Sequence, residues 1–137
     1  MNEYKRIVHY YETDKMGVVH HSNYIRWFEE ARLDFFKNNG YDYAELEKKG
    51  VICPVVSINC NYKHMVTYPE NIIIEVSIKE FKGVKLVISY VVKKEDGIIA
   101  STGESVHCFI DQQTNRIIRM DKEHPDFYEL MKSKIKN

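Results

Sequence analysis

The 137-residue sequence is poor in the features that mark several special classes of protein. Its three cysteines, at positions 53, 60 and 108, lack CxxC spacing, which argues against a disulfide framework or a zinc site. We expect three reduced, mostly buried thiols. No run of about 18 apolar residues is present to build a membrane span. The 20 basic and 20 acidic residues cancel, and no run rich in lysine or arginine precedes the C-terminal KSKIK, so nucleic acid is not an expected partner.

The length and the N-terminal residues favour one domain inside the cell. Domains commonly contain about 100 to 150 residues, so we expect a single domain over residues 1–137. Residues 1–6 are polar and lack the apolar core of a secretory signal. We therefore expect a cytoplasmic location.

The stretch 23–39 has the periodicity of a long helix. Its apolar residues recur at offsets of 0, 3, 4, 7 and 11 from Tyr24, which places them on one face. Three more apolar residues widen that face: Ile25, Leu33 and Phe36. Ser22 or Asn23 can serve as the N-cap, and Gly40 suits the left-handed position after the last turn. We predict a helix of about 17 residues that is enclosed on more than one side.

Most of the remaining chain has the composition of strands. Residues 4–11 are rich in aromatic and β-branched side chains and predict a first strand. A short helix is expected at 42–50. Four later segments, separated by turn residues, have strand composition: 55–66, 71–81, 84–95 and 98–111. We interpret these four as a meander of long antiparallel strands, with Ile72, Ile74, Val76 and Ile78 on a buried face.

These elements predict an α+β fold. A curved antiparallel sheet of about five strands would wrap around the long central helix. The segment 124–137 predicts a C-terminal helix, with Pro125 at its first position and lysines in its last turn. Such a sheet leaves edge strands exposed, and dimerisation through those edges would protect them.

The loop before the long helix concentrates the groups that could carry chemistry. In YYETDKMGVVHHSNY, residues 10–24, Asp14 lies three residues before Gly17, and the chain then runs directly into the helix start at His21. Unpaired N–H groups at a helix start can stabilise a carbonyl oxygen that gains negative charge. Gly17 lets the backbone approach a ligand closely. A carboxylate beside such a helix end is suited to acyl transfer.

Other interpretations of this loop remain open. Asp14 can be a simple turn or cap residue, because Asp followed by Lys, Met and Gly is common in turns. Metal binding by His20 and His21 is disfavoured, since neighbouring side chains point apart and no i, i+4 partner is present. A triad of Ser22, His21 and Asp14 is disfavoured as well, because adjacent serine and histidine rarely reach each other.

The stretch YYETDKMGVVHHSNYIRWFEEAR resembles the N-terminal motif of the 4-hydroxybenzoyl-CoA thioesterase family, particularly its bacterial branch associated with the Tol-Pal region. YPENIIIEVSI and ESVHCFID are similar to later strands of that family. The resemblance implies a hotdog fold and a dimer, often paired into a homotetramer, with sites at the subunit interface. It implies that the chain is an acyl-CoA thioesterase that needs no metal or other cofactor.

The resemblance also assigns roles to residues. Asp14 would be the nucleophile or the general base, and the backbone N–H of His21 would polarise the thioester carbonyl. The His21 imidazole would supply a proton or orient water. Six further residues are candidate substrate contacts: Gly17, Val19, Tyr24, Lys63, Lys82 and Lys85. The lysines would meet the phosphates of CoA. Two alternatives remain open, namely a non-catalytic acyl-CoA-binding or regulatory module and a thioesterase that acts on acyl carrier protein.

Overall fold

A computed structural model describes residues 2–135 and contains one long helix packed on a five-stranded antiparallel sheet. Strand β1, Asn2–Ile7, is followed by a 3₁₀ turn, Tyr10–Glu12, and by the long helix α1, Ser22–Asn38. The short helix α2, Tyr43–Lys48, leads to β2, Val51–Ile52. The expected α+β hotdog architecture is confirmed.

The remaining strands and helices complete the sheet and cover one end of it. The later strands are β3, Val55–Tyr62; β4, Asn71–Phe81; β5, Leu86–Lys94; β6, Ile99–His107; and β7, Ile110–Asp111. Two C-terminal helices follow: α3, Met120–Glu123, and α4, Pro125–Ser133. Pro125 occupies the first turn of α4, as predicted. The last two residues of the segment 124–137, including the final lysine, lie outside the described residues.

The sheet order is β1-β4-β5-β6-β3, so the prediction of a four-strand meander is wrong. Strands β4, β5 and β6 do form a meander, but β3 pairs with β6 at the far edge. Residues 63–70 do not close a hairpin, and two of them, Val66 and Thr67, pair with the loop before α1 instead. The Val19 N–H donates to the Val66 carbonyl over 2.8 Å, and Val18 bridges Thr67.

The first predicted strand is shorter than its composition suggested. β1 ends at Ile7, and the aromatic residues beyond it enter the 3₁₀ turn. This turn is fixed because the Glu12 carboxylate accepts the His9 backbone N–H over 2.8 Å. The segment 98–111, predicted as one strand, is divided into β6 and the two-residue β7, and β7 pairs with β2, which was not predicted.

The core lies between α1 and the sheet. The predicted face of α1 is buried, with Trp27, Phe28 and Ala31 fully inaccessible, and β4 alternates as expected. Ile25 and Leu33 are 42% and 39% exposed, so the prediction that they widen the buried face is wrong, whereas Phe36 is buried. Helix α2 and Phe127 of α4 also contact α1, and the face that carries Ile25 and Leu33 is open to solvent.

All three cysteines are free, Cys53 is buried, and the other two are half-buried.

Among residues 2–135, no helix combines the length and apolar character that a bilayer crossing requires.

Candidate active site

A surface cavity of about 340 Å³ lies where three segments of the chain meet. Its walls come from the loop before α1, the first turn of α1 and the end of β3. The lining residues are Asp14, Val18, Val19, His21, Tyr24, Tyr62, Lys63, His64 and Met65. Five of the eight predicted site residues therefore border one cavity.

Asp14 lies in a tight turn at the cavity wall. Its Oδ1 accepts the Met16 backbone N–H over 2.8 Å, and its carbonyl accepts the Gly17 N–H over 3.0 Å. Within residues 2–135 its Oδ2 has no hydrogen-bond partner. Asp14 can therefore be a turn residue and a cavity residue at once, because one carboxylate oxygen fixes the turn while the other stays available.

The first turn of α1 presents a backbone N–H at His21. His21 is the N-cap, rather than Ser22 or Asn23 as predicted, with φ −56° and ψ −27°. The next three N–H groups are already used: Ser22 donates to His20 Nδ1, Asn23 to the His20 carbonyl, and Tyr24 to the His21 carbonyl. The His21 N–H forms no hydrogen bond within the part of the chain that the structure describes. It is therefore free to donate to a ligand.

Two aromatic side chains form one wall of the cavity. The rings of Tyr24 and Tyr62 meet edge to face with centroids 5.0 Å apart. The Tyr62 hydroxyl donates to the His21 carbonyl over 3.2 Å, which ties the end of β3 to the helix start. Burial raises the pKa of Tyr24 to about 12, because the charged phenolate would lose its solvation there.

Of the three lysines predicted to contact the phosphates of CoA, only one borders the cavity. Lys63 lines the cavity, but Lys82 and Lys85 belong to the turn between β4 and β5. Both place their ammonium groups near Glu80, at 3.0 and 3.7 Å. They do not line the cavity.

Gly17 stands beside the cavity rather than in its lining. Its φ of +77° belongs to the left-handed region, where a side chain is strained, and a Cβ there would meet no atom within 4 Å. The glycine is thus explained by the turn that carries Asp14. Its predicted contact with substrate stays a prediction.

The sequence interpretation missed four lining residues: Val18, Tyr62, His64 and Met65. Three of them come from the end of β3 and the residues after it, which the sequence pattern predicts as ordinary strand. A signal was present in KHMV, where the alternation of polar and apolar residues breaks. Only the topology, however, brings this segment to the start of α1.

A family model, a relative in sequence and a solved structure all relate this chain to thioesterases. The model of the thioesterase-like superfamily matches residues 8–131. The putative acyl-CoA thioesterase YneP of Bacillus subtilis is 36% identical over 121 residues, 88% of each chain. The structure of a DHNA-CoA thioesterase from Staphylococcus aureus superposes with a TM-score of 0.91 at 37% identity, covering 96% of this chain and 88% of that one.

The branch associated with the Tol-Pal region is more distant. The acyl-CoA thioesterase YbgC of Haemophilus influenzae is 24% identical over 102 residues, 74% of this chain and 75% of that protein. The similarity to YneP is therefore higher than the similarity to the branch that the motif first suggested.

Proposed function

The chain belongs to the thioesterase-like superfamily and is an acyl-CoA thioesterase of the hotdog fold, and we propose that Asp14 and the His21 backbone N–H carry its reaction. The observation behind this proposal is their shared cavity. There, one carboxylate oxygen of Asp14 and the His21 N–H have no partner within residues 2–135.

The carboxylate can act in either of two ways. As a nucleophile, its oxygen attacks the thioester carbon and expels the CoA thiolate, and water then hydrolyses the resulting mixed anhydride. As a general base, it takes a proton from a water molecule that attacks the same carbon. Either route consumes one water and yields a free acid and CoA.

The helix start stabilises the charge that develops during this attack. The carbonyl oxygen becomes negative as the tetrahedral intermediate forms, and a fixed N–H that faces it requires no reorganisation. The positive end of the α1 dipole acts in the same direction. The thiolate needs a proton as it departs, and the His21 imidazole, which borders the cavity, is the proposed donor.

Thiol release from acyl-CoA tests the proposed function. We expect the wild-type chain to liberate the CoA thiol from at least one member of a panel with short, long and aromatic acyl groups. The aromatic members are included because the similar Staphylococcus aureus protein is named a DHNA-CoA thioesterase. Tight acyl-CoA binding without thiol release across the panel would contradict the proposal and favour a binding module.

The oligomer is proposed from the sheet edges. β3 is an edge strand of the sheet, and Val55 and Val56 on it are 46% and 62% exposed. We propose that two chains pair through their β3 edges, which would place a second protomer beside the cavity wall formed by Tyr62. Pairing of such dimers would give the expected homotetramer.

A charged substitution on β3 tests this edge. Burying a valine is worth about 1.5 to 3 kcal/mol, and a symmetric contact counts twice, so Val56→Lys should weaken the dimer by about a hundredfold or more. Light scattering at decreasing concentration would detect a mass that falls toward the 16.3 kDa of one chain. Ile7→Lys, on the opposite edge strand, is the control. Equal masses for Val56→Lys and wild type would exclude the β3 edge.

A further inference from the structure

Glu12 is a buried carboxylate that the proposed reaction does not use. It is 4% exposed and lies outside the cavity lining. Both of its oxygens accept from Arg6 Nη1, at 2.9 and 3.0 Å, and Oε2 also accepts from Trp27 Nε1 at 2.8 Å. The His9 N–H completes the set at 2.8 Å. One side chain thus joins β1, the 3₁₀ turn and α1.

The main chain of the same residue holds the far end of the loop. The Glu12 carbonyl accepts the His20 N–H over 2.9 Å and Asn23 Nδ2 over 2.9 Å. Asp14 follows Glu12 by two residues, and His21 follows His20 directly. Residue 12 therefore stands two residues before Asp14 and also holds residue 20, which lies next to the His21 N–H, at the other end of the loop.

We propose that Glu12 is a positioning residue that sets the geometry between Asp14 and the His21 N–H. This inference rests on the proposed function, because it concerns the two groups assigned there. The Glu12 carboxylate does not touch substrate. It fixes the 3₁₀ turn to the sheet and to the helix, so that its own carbonyl can hold the helix start in place.

The charge of Glu12 is essential to this arrangement. The side chains of Arg6 and Glu12 are only 8% and 5% exposed, so removing the Arg6 charge leaves the Glu12 carboxylate buried without a cation, and removing the Glu12 charge leaves Arg6 with the more exposed Glu30 alone. Burial alone would raise the pKa of Glu12, but hydrogen bonds from the His9 N–H, Trp27 and Arg6 lower it below its ordinary value. The carboxylate is therefore charged near neutral pH. A glutamine there would turn an N–H₂ donor toward other donors.

Glu12→Gln tests the proposal by separating kcat from KM. A misplacement of about 1 Å can cost about a hundredfold in rate. We expect kcat to fall by about ten- to a hundredfold while KM changes by about twofold or less. The emission of Trp27, the single tryptophan, should shift because its Nε1 loses an ionic acceptor. Circular dichroism well below the unfolding midpoint would establish that the fold is kept.

Glu30→Gln is the matched control. Glu30 also contacts Arg6, with Oε1 at 3.3 Å from Nε, but its side chain is 39% exposed and it accepts from Tyr4 rather than from the loop. We expect Glu30→Gln to leave kcat within about twofold of wild type, because it leaves the Glu12 contacts in place.

The outcomes distinguish this inference from the proposed function. Wild-type kcat in folded Glu12→Gln, while Asp14→Asn is inactive, would overturn the positioning role alone. An active Asp14→Asn would overturn the proposed function itself. Equal losses in Glu12→Gln and Glu30→Gln would also overturn the positioning role. If Glu12→Gln fails to fold, Glu12→Asp, which keeps the charge but shortens the reach to Arg6 and Trp27, should lower kcat at unchanged KM, and an unchanged kcat would overturn the inference.

Discussion

Replacement of Asp14 by asparagine is expected to lower kcat for thioester hydrolysis by about 10² to 10⁴-fold. This is the range that a positioned acid or base commonly contributes. An amide can neither attack the thioester carbon efficiently nor take a proton from water. The amide oxygen can still accept the Met16 N–H, so the turn around Gly17 is retained. The loss should therefore appear in turnover and not in stability.

Asp42→Asn is the matched control for this experiment. Asp42 caps α2 and accepts the Ala44 backbone N–H over 3.0 Å, the same i to i+2 contact that Asp14 makes with Met16. It is not among the residues that line the cavity. We expect full turnover from Asp42→Asn, with thermal unfolding and thiol release measured on both variants. Unchanged turnover in both Asp14→Asn and Asp14→Ala would remove the carboxylate from the mechanism.

The parts of the fold that could be predicted are those whose information is local. The helix α1 follows from the apolar spacing after Tyr24, and the buried face of β4 follows from strict alternation. The start of α4 follows from Pro125. The partner of β3 could not be predicted in this way, because β6 is a distant segment of the chain and Val66 and Thr67, which follow β3, pair with the loop before α1.

The site residues likewise divide into those that the local sequence indicates and those that only the folded chain brings together. Asp14 and His21 stand in one contiguous motif, so the sequence could nominate them together. Tyr62 could not be found in that way, since it reaches the helix start only after the sheet has formed. Glu12 stands within the motif, but its burial depends on Arg6 and Trp27 meeting it in the folded chain.

Proline at position 21 is expected to remove the proposed oxyanion donor while the loop stays folded. The Asn23 N–H donates to the His20 carbonyl over 3.0 Å, so residues 20–23 form a turn with His21 in its second position. The φ of −56° and ψ of −27° at His21 match the values that favour proline there. Because the His21 N–H has no partner within residues 2–135, the substitution breaks no hydrogen bond among them.

His21→Ala is the reference variant, since it removes the imidazole and keeps the N–H. Loss of one oxyanion donor typically costs about 10² to 10³ in kcat, so His21→Pro should be slower than His21→Ala by that factor. Its unfolding midpoint should be unchanged or slightly raised, because proline at a compatible site stabilises by about 0.4 to 1 kcal/mol. The gap between wild type and His21→Ala measures the imidazole separately. Equal kcat values for the alanine and proline variants would show that the thioester oxygen is stabilised by some group other than this amide.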